Sequence, residues 1–230
     1  MRAAERAVSL AHLADAPRPQ NGAGENRSAE ARGEPIRLVE ALRTFATRLL
    51  AVLAADVADY SRHMAEDESG THRRCTALWI RVVQPVVARW GGQTIKNTGD
   101  GFLAVFVSAT SAVRSAVEFQ RAVYAWNRHR ARGRELLFRV GINLGDVILE
   151  PNDVFGHTVN VAARLEAMAE PGSVLVSHAV SASVRDGGLS FEDVGELSLK
   201  NIKGTVRGFR AHASLSRRRD VGTPPEHSPV

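Results

Sequence analysis

The order of elements along the chain predicts an α+β fold, one sheet assembled as strand, helix, hairpin, helix, strand. Three observations carry this. LLAVLAA at Leu49–Ala55 is an unbroken apolar run of strand length. QTIKNTGDGFLAVFV places two apolar arms around a glycine-rich tip. The long stretches on either side repeat apolar residues at helical spacing.

The first strand, Leu49–Ala55, ends at Asp56. Met64 to Trp90 reads as a helix with Leu78, Val82, Val83, Val86 and Val87 on its apolar face, stopped by Gly91-Gly92. Gln93–Lys96 and Phe102–Val107 form the hairpin arms, with Asp100 at the tip between two glycines. Ala109–Arg128 is a helix through Ala112, Ala116, Phe119 and Val123. Phe138–Ile142 and Asp146–Glu150 read as a further strand or a hairpin. A helix over Thr158–Ala169 and a strand over Ser173–Val176 follow, and Leu189–His212 alternates short strands with glycines. This is the βαββαβ pattern of ferredoxin-like, or palm, folds, with a C-terminal strand extension.

The Pro-, Gly- and charge-rich stretch Ala16–Pro35 holds no bulky apolar residue, so residues 1–37 read as a flexible leader and 216–230 as a flexible tail. One compact domain, 38–215, lies between them. A hydrophobic content of 44% is enough for a real core. The net charge of +5 is a mild excess without a basic, aromatic-interleaved surface, so nucleic acid is not an expected partner. The single cysteine, Cys75, allows no internal disulfide and reads as helical filler despite Arg73 and Arg74 beside it. No apolar run approaches the ~20 residues that span a bilayer, and the N-terminus lacks an apolar signal core, so a cytoplasmic protein without membrane insertion is expected.

Topology makes a geometric prediction. In a split βαβ unit the first two strands run parallel, with the third antiparallel between them. The end of the first strand and the hairpin tip therefore meet at one end of the sheet. Asp56 and Asp100 should be neighbours. Turn chemistry alone explains an Asp between glycines, and a strand-end cap alone explains Asp56. Together they suggest more, because two close carboxylates repel unless a cation joins them, and oxygen donors suit Mg²⁺ or Mn²⁺.

LAADVADYSR, GGQTIKNTGDGFLAVF, FRVGINLGDV, DVFGHTVNVAARLEAMAEPG and LKNIKGTVRGFRAH resemble, in order, the blocks of the class III nucleotidyl cyclase catalytic domain. The resemblance spans about Arg48 to His212. It implies a cyclase that makes a cyclic nucleotide and pyrophosphate from a triphosphate, acting as a homodimer with sites between two chains. Asp56 and Asp100 would then be the carboxylates that hold two metal ions, Mg²⁺ or Mn²⁺, with the Val57 carbonyl as a further ligand. Lys96 and Asp153 fall at the base-selecting positions, and a Lys/Asp pair implies adenine, hence ATP. Asn160 and Arg164, one helical turn apart, would orient the ribose and neutralise charge in the transition state. Arg139 matches a pyrophosphate-contacting position, and Lys203 a terminal-phosphate lysine.

Each residue also has a plainer reading: a solvated lysine at 96, a turn residue at 153, and an exposed Arg164 paired with Glu166 or Glu170. His63 and His157 lie near these segments, but the mechanism requires no histidine. Asp59 departs from the family, which commonly has Gly there, and a third carboxylate near the phosphates would repel substrate or recruit metal. Two alternatives stay open: a weak or inactive nucleotide-binding regulatory domain of the same fold, and a palm-fold diguanylate cyclase, whose acidic-acidic-Phe continuation after the glycine pair is missing here. A regulatory partner and an activating signal are not legible.

Overall fold

The computed structural model describes residues 47–128, 133–151 and 153–214. The expected leader (1–37) and tail (216–230) lie outside the described residues, as do 38–46, 129–132, 152 and 215.

β1 (Thr47–Val57) leads through α1 (Tyr60–Glu66), α2 (Glu68–Leu78), a π-helical turn (Trp79–Val83) and α3 (Gln84–Arg89) to β2 (Gln93–Asn97) and β3 (Gly101–Phe106). Then come α4 (Ala109–Asn127), β4 (Phe138–Glu150), β5 (Asp153–Phe155), α5 (His157–Met168), β6 (Val174–Ser177), α6 (His178–Ser183), β7 (Leu189–Ser198) and β8 (Thr205–Ala213). The strands form one sheet in the order β2-β3-β1-β4-β6-β8-β7, with β5 paired to β4. β3 runs antiparallel to both β1 and β2, the split arrangement expected from the sequence.

β1 is buried on both faces, which is why its sequence is a continuous apolar run rather than an alternation. Ala51, Leu53, Ala55 and Val57 join the larger core cluster with the residues of α2 to α4. Leu50, Val52 and Ala54 point the other way, into a cluster with Val105, Val147, Val154 and Ala162 of α5. Strand periodicity then sets Asp56 on the α5 side. Arg139 and Gly141, the β4 partners of Asp56 and Ala54, lie in the same register.

One expectation needs revision, and one choice left open is decided. The single helix over Met64–Trp90 starts earlier, at Tyr60, and is divided. Asp67 ends α1 and caps α2, accepting a hydrogen bond from the Gly70 amide at 2.9 Å. Further on, Pro85 has no N–H to close onto Arg81, and the turn just before it widens until the Gln84 amide reaches the Trp79 carbonyl. The segment from 138 to 150 is one 13-residue strand, not a hairpin. Gly145 serves there as a close approach instead of a turn: a Cβ at this position would stand 2.6 Å from the Thr158 hydroxyl.

Candidate active site

Asp56 pairs across the sheet with Gly101 on one side and Arg139 on the other. The Val57 amide donates to the Asp100 carbonyl at 2.7 Å, so the strand end and the hairpin tip are stitched directly together. Contact is this close because residue 101 is glycine. A Cβ there would meet the Ala55 carbonyl at 2.4 Å and the Asp56 Cα at 3.1 Å.

The hairpin tip is held by its own side chains. The Thr98 amide donates to the Gly101 carbonyl at 2.9 Å, and Gly99 takes φ 88°, the conformation that favours glycine. The Thr98 hydroxyl donates to Asp100 Oδ1 at 2.7 Å and accepts from the Gly101 amide at 3.1 Å. A second short-range bond, from the Gly99 amide to Asn97 Oδ1 at 2.9 Å, stiffens the approach. Behind the tip, Trp79, Phe102, Phe119 and Phe138 stack as successive tilted and edge-on pairs, with centroids 4.9–5.7 Å apart.

Asp56 sits in a different environment. Arg139 grips both of its oxygens, Nε to Oδ1 at 2.9 Å and Nη2 to Oδ2 at 2.5 Å. Against this pair stands Glu166 of α5, its Oε1 3.5 Å from Arg139 Nε. Burial, then the hydrogen-bonding contact with Asp56, push the Glu166 carboxyl up to about 9, and the charge of Asp100 adds to the rise. Glu166 therefore feels both aspartates. Gly141 makes the placement possible, because α5 lies so close to β4 that a Cβ there would be 2.1 Å from the Glu166 amide nitrogen and 2.2 Å from the Ala162 carbonyl.

Fifty-seven residues apart in sequence, Lys96 and Asp153 meet: Nζ lies 2.5 Å from Oδ2. Asp153 Oδ1 accepts from the Val154 amide at 2.8 Å, which fixes the carboxylate at the head of β5. No hydrogen bond or ion pair among the described residues joins this pair to the Asp56 group.

Asn160 and Arg164 occupy α5 one turn apart, Asn160 exposed and Arg164 partly so. Among the described residues neither side chain has a hydrogen-bond or ion-pair partner. The plainer reading of Arg164 as a partner of Glu166 or Glu170 does not hold, because Glu166 faces Arg139 and Glu170 pairs with Arg210 at 3.0 Å. Lys203 is exposed in the β7–β8 connection. Leu199 and Ile202 dock that connection onto Val161 and Leu165 of α5, so Lys203 follows directly on a residue packed against the Asn160–Arg164 helix.

Asp59 has φ 53°, a left-handed conformation that glycine adopts freely and Asp tolerates. Backbone conformation thus accounts for the glycine the family favours there. The Asp59 side chain is exposed and lies 3.5 Å from Arg62. Cys75 is buried and its thiol is raised to about 11, burial outweighing Arg74, in keeping with filler.

Sequence reasoning passed over Glu166 as a site residue. A usable signal was present: it stands four residues after Ala162 and three before Ala169, both buried, and so falls inside the buried stripe of α5. The donor set suits a hard divalent cation, since the strand end and the hairpin tip bring two aspartates to one end of the sheet and Mg²⁺ ordinarily takes one or two carboxylates plus phosphates and water. Among the described residues no ready cage of three or more His, Cys, Asp or Glu exists. Both oxygens of Asp56 are held by Arg139, so a cation fits once the guanidinium yields.

Fold and site together define a nucleotidyl cyclase domain of class III. Residues 44–213 match the family model described as "Adenylate and Guanylate cyclase catalytic domain", and the chain belongs to that family. It is 44% identical over 160 residues to "Putative adenylate cyclase 3" of Rhizobium meliloti (strain 1021), an alignment covering 69% of this chain and 27% of that protein. An adenylate/guanylate cyclase/hydrolase structure from Silicibacter pomeroyi superposes with TM-score 0.68 at 40% identity, covering 74% of this chain and 99% of that one. The adenylyl cyclase CyaB from P. aeruginosa shares the fold, with TM-score 0.64 at 22% identity over 77% of this chain and 98% of that one. The chain spans about a third or less of the first curated relatives it matches, 27% of one and 35% of others. No helix among the described residues is long and apolar enough to cross a membrane.

Proposed function

We propose that this domain is an adenylate cyclase that converts ATP to 3′,5′-cyclic AMP and pyrophosphate. The observation that carries the reading is the meeting of Lys96 and Asp153. An ammonium offers a donor to a ring nitrogen of adenine, and a carboxylate accepts from its exocyclic amine. Guanine presents the reverse edge. Adenine can part the pair because it offers each of the two side chains a partner.

In the reaction the ribose 3′-oxygen bonds to the α-phosphorus as the bond from that phosphorus to the pyrophosphate oxygen breaks, and the hydroxyl proton leaves. Asp56 and Asp100 would hold Mg²⁺ or Mn²⁺, with the Val57 carbonyl as a further donor. When bound, such ions supply polarisation of the attacking hydroxyl and of the phosphates. Asn160 orients the ribose and Arg164 meets the charge that develops on the phosphates. Arg139 and Lys203 bind the pyrophosphate portion.

Arg164 and Asn160 have no partner within the described chain, while the Asp56 group is closed by its own α5. That division supports a homodimer in which the aspartates of one chain face the Lys96–Asp153 and Asn160–Arg164 sets of the other.

Purified protein given ATP with Mn²⁺ or Mg²⁺ is expected to yield cyclic AMP. Asp56→Ala and Asp100→Ala should abolish the product, and mixing Asp100→Ala with Arg164→Ala chains should restore part of it through one intact composite site. Lys96→Glu with Asp153→Cys should weaken the preference for ATP. The second reading, a nucleotide-binding regulator, is favoured by the Arg139 grip on both Asp56 oxygens. Absence of cyclic product from every triphosphate would select it.

A further inference from the structure

The residue left without a task in the proposed chemistry is Glu166. Its Oε1 is buried and has no hydrogen-bond partner. A buried acceptor without a donor is costly and calls for an explanation. Arg139 Nε stands 3.5 Å away, already committed to Asp56 Oδ1 at 2.9 Å. One guanidinium thus stands between two carboxyls and satisfies only one.

We propose that Glu166 is a positioning residue: it is the seat Arg139 takes when a divalent cation takes Asp56. The inference rests on the two-carboxylate cation site proposed above and adds to it a residue from the opposite side of α5 to Asn160 and Arg164. The geometry makes the exchange short. Arg139 leaves Asp56 by turning its Nε toward Glu166 Oε1, which releases Asp56 from the guanidinium and gives the orphaned acceptor its donor. Gly141 holds α5 hard against β4, so Glu166 cannot drift from its place. Arg139 then remains beside Asp56, where its remaining N–H groups face incoming phosphate oxygens instead of dispersing into solvent.

Without Glu166, Arg139 has no second seat and competes with the cation for Asp56. Partners that orient the groups around a metal site typically change metal affinity by about 10- to 100-fold. The test is Mn²⁺ affinity of the full chain by titration calorimetry, without nucleotide. Glu166→Ala should bind Mn²⁺ at least about tenfold more weakly. Glu166→Gln keeps an oxygen that accepts from Nε and should stay close to wild type. Glu166→Leu, which keeps bulk without an acceptor, repeats the alanine test should that variant unfold.

In an Arg139→Met background, where no guanidinium competes for Asp56, removal of Glu166 should leave Mn²⁺ affinity unchanged. Equal losses in Glu166→Ala and Glu166→Gln would overturn the seat and assign Glu166 a direct charge effect on the cation. A loss that persists in Arg139→Met, or no loss at all, would overturn it too. If wild type binds no Mn²⁺, or binding survives Asp56→Ala with Asp100→Ala, the cation site itself fails and the seat falls with it. Failure of the cycle while wild type binds normally removes the seat alone.

Discussion

The strand end and the hairpin tip each bring one aspartate to the same end of the sheet, and they hold it by opposite means. Asp100 is aimed locally, by a hydroxyl two residues back and a backbone turn that glycine permits. Asp56 is aimed by distant parts of the chain: Arg139 lies 83 residues on, and Glu166 arrives on α5, which packs on the face of the sheet that Asp56 occupies. A locally built group is robust to changes elsewhere and tuned by few neighbours. A group assembled from afar is sensitive to how helix and sheet pack, and its charge is set by that packing.

The largest expected effect separates the two regions by disturbing packing alone. Gly141→Ala puts a Cβ about two ångströms from backbone atoms of α5, which cannot rotate away. Helix and strand must part, and overpacking of this kind costs about 3 kcal/mol, a fall of several degrees in Tm for a domain of this size. The Asp56 surroundings should be lost while the Asp100 turn, built from its own residues, persists. Thermal unfolding checks the cost. A Gly141→Ala protein with wild-type Tm would mean that the α5–β4 contact is looser than these distances imply.

The next effect is a pH slope unique to the strand end. In the folded chain Glu166 keeps its proton well above the ordinary carboxylate range, up to about 9, whereas the unfolded chain releases it near the usual value. Between those two values the folded state binds the extra proton, so stability falls as pH rises through the window and is fullest below the unfolded value. The slope approaches about 1 kcal/mol per pH unit for one proton. Metal-free Glu166→Gln should flatten it in denaturant titrations between pH 5 and 8, a range chosen to sit inside this window. Unchanged pH dependence would show that Glu166 is ionised and solvated in the folded protein.

These contrasts also explain what was legible in the sequence. The Asp100 tip, the buried β1 run and the meeting of Asp56 with the hairpin could be read because each follows from local pattern plus strand order. Lys96 and Asp153 became a pair only through resemblance, since nothing in KNTGD or PNDVF points across 57 residues. Glu166 stayed hidden because a carboxylate on a helix defaults to solvent, and its burial depends on Gly141, a residue 25 positions earlier on a different strand. The break at Asp67 was hidden because the apolar face begins only at Leu78 and the polar residues around Asp67 carry no period to interrupt. A side chain that caps the next helix ended the first one, and apolar spacing does not record that.

At the hairpin, Thr98→Val removes the hydroxyl that donates to Asp100 and accepts from the Gly101 amide, leaving shape nearly intact. Stability should fall by about 1 kcal/mol, the usual worth of such a bond. Cyclic AMP production should suffer more than stability, because Asp100 would lose its aim, with the deficit partly restored by raising Mn²⁺. Equal turnover at low metal would show the turn backbone alone positions the carboxylate.

The smallest effect tests the one departure from the family pattern. Asp59→Gly relaxes a left-handed residue at φ 53° but adds freedom to the unfolded chain, so the net change in stability should be within about 1 kcal/mol. Its carboxylate is exposed, near Arg62, and the strand end sees it only as one of several distant charges on Arg139. Activity and Mn²⁺ affinity should therefore change little, in contrast to substitutions at Glu166. A marked gain in activity for Asp59→Gly would move the controlling carboxyl group from Glu166, beside Asp56, to the loop that follows β1, and with it the balance between the two regions.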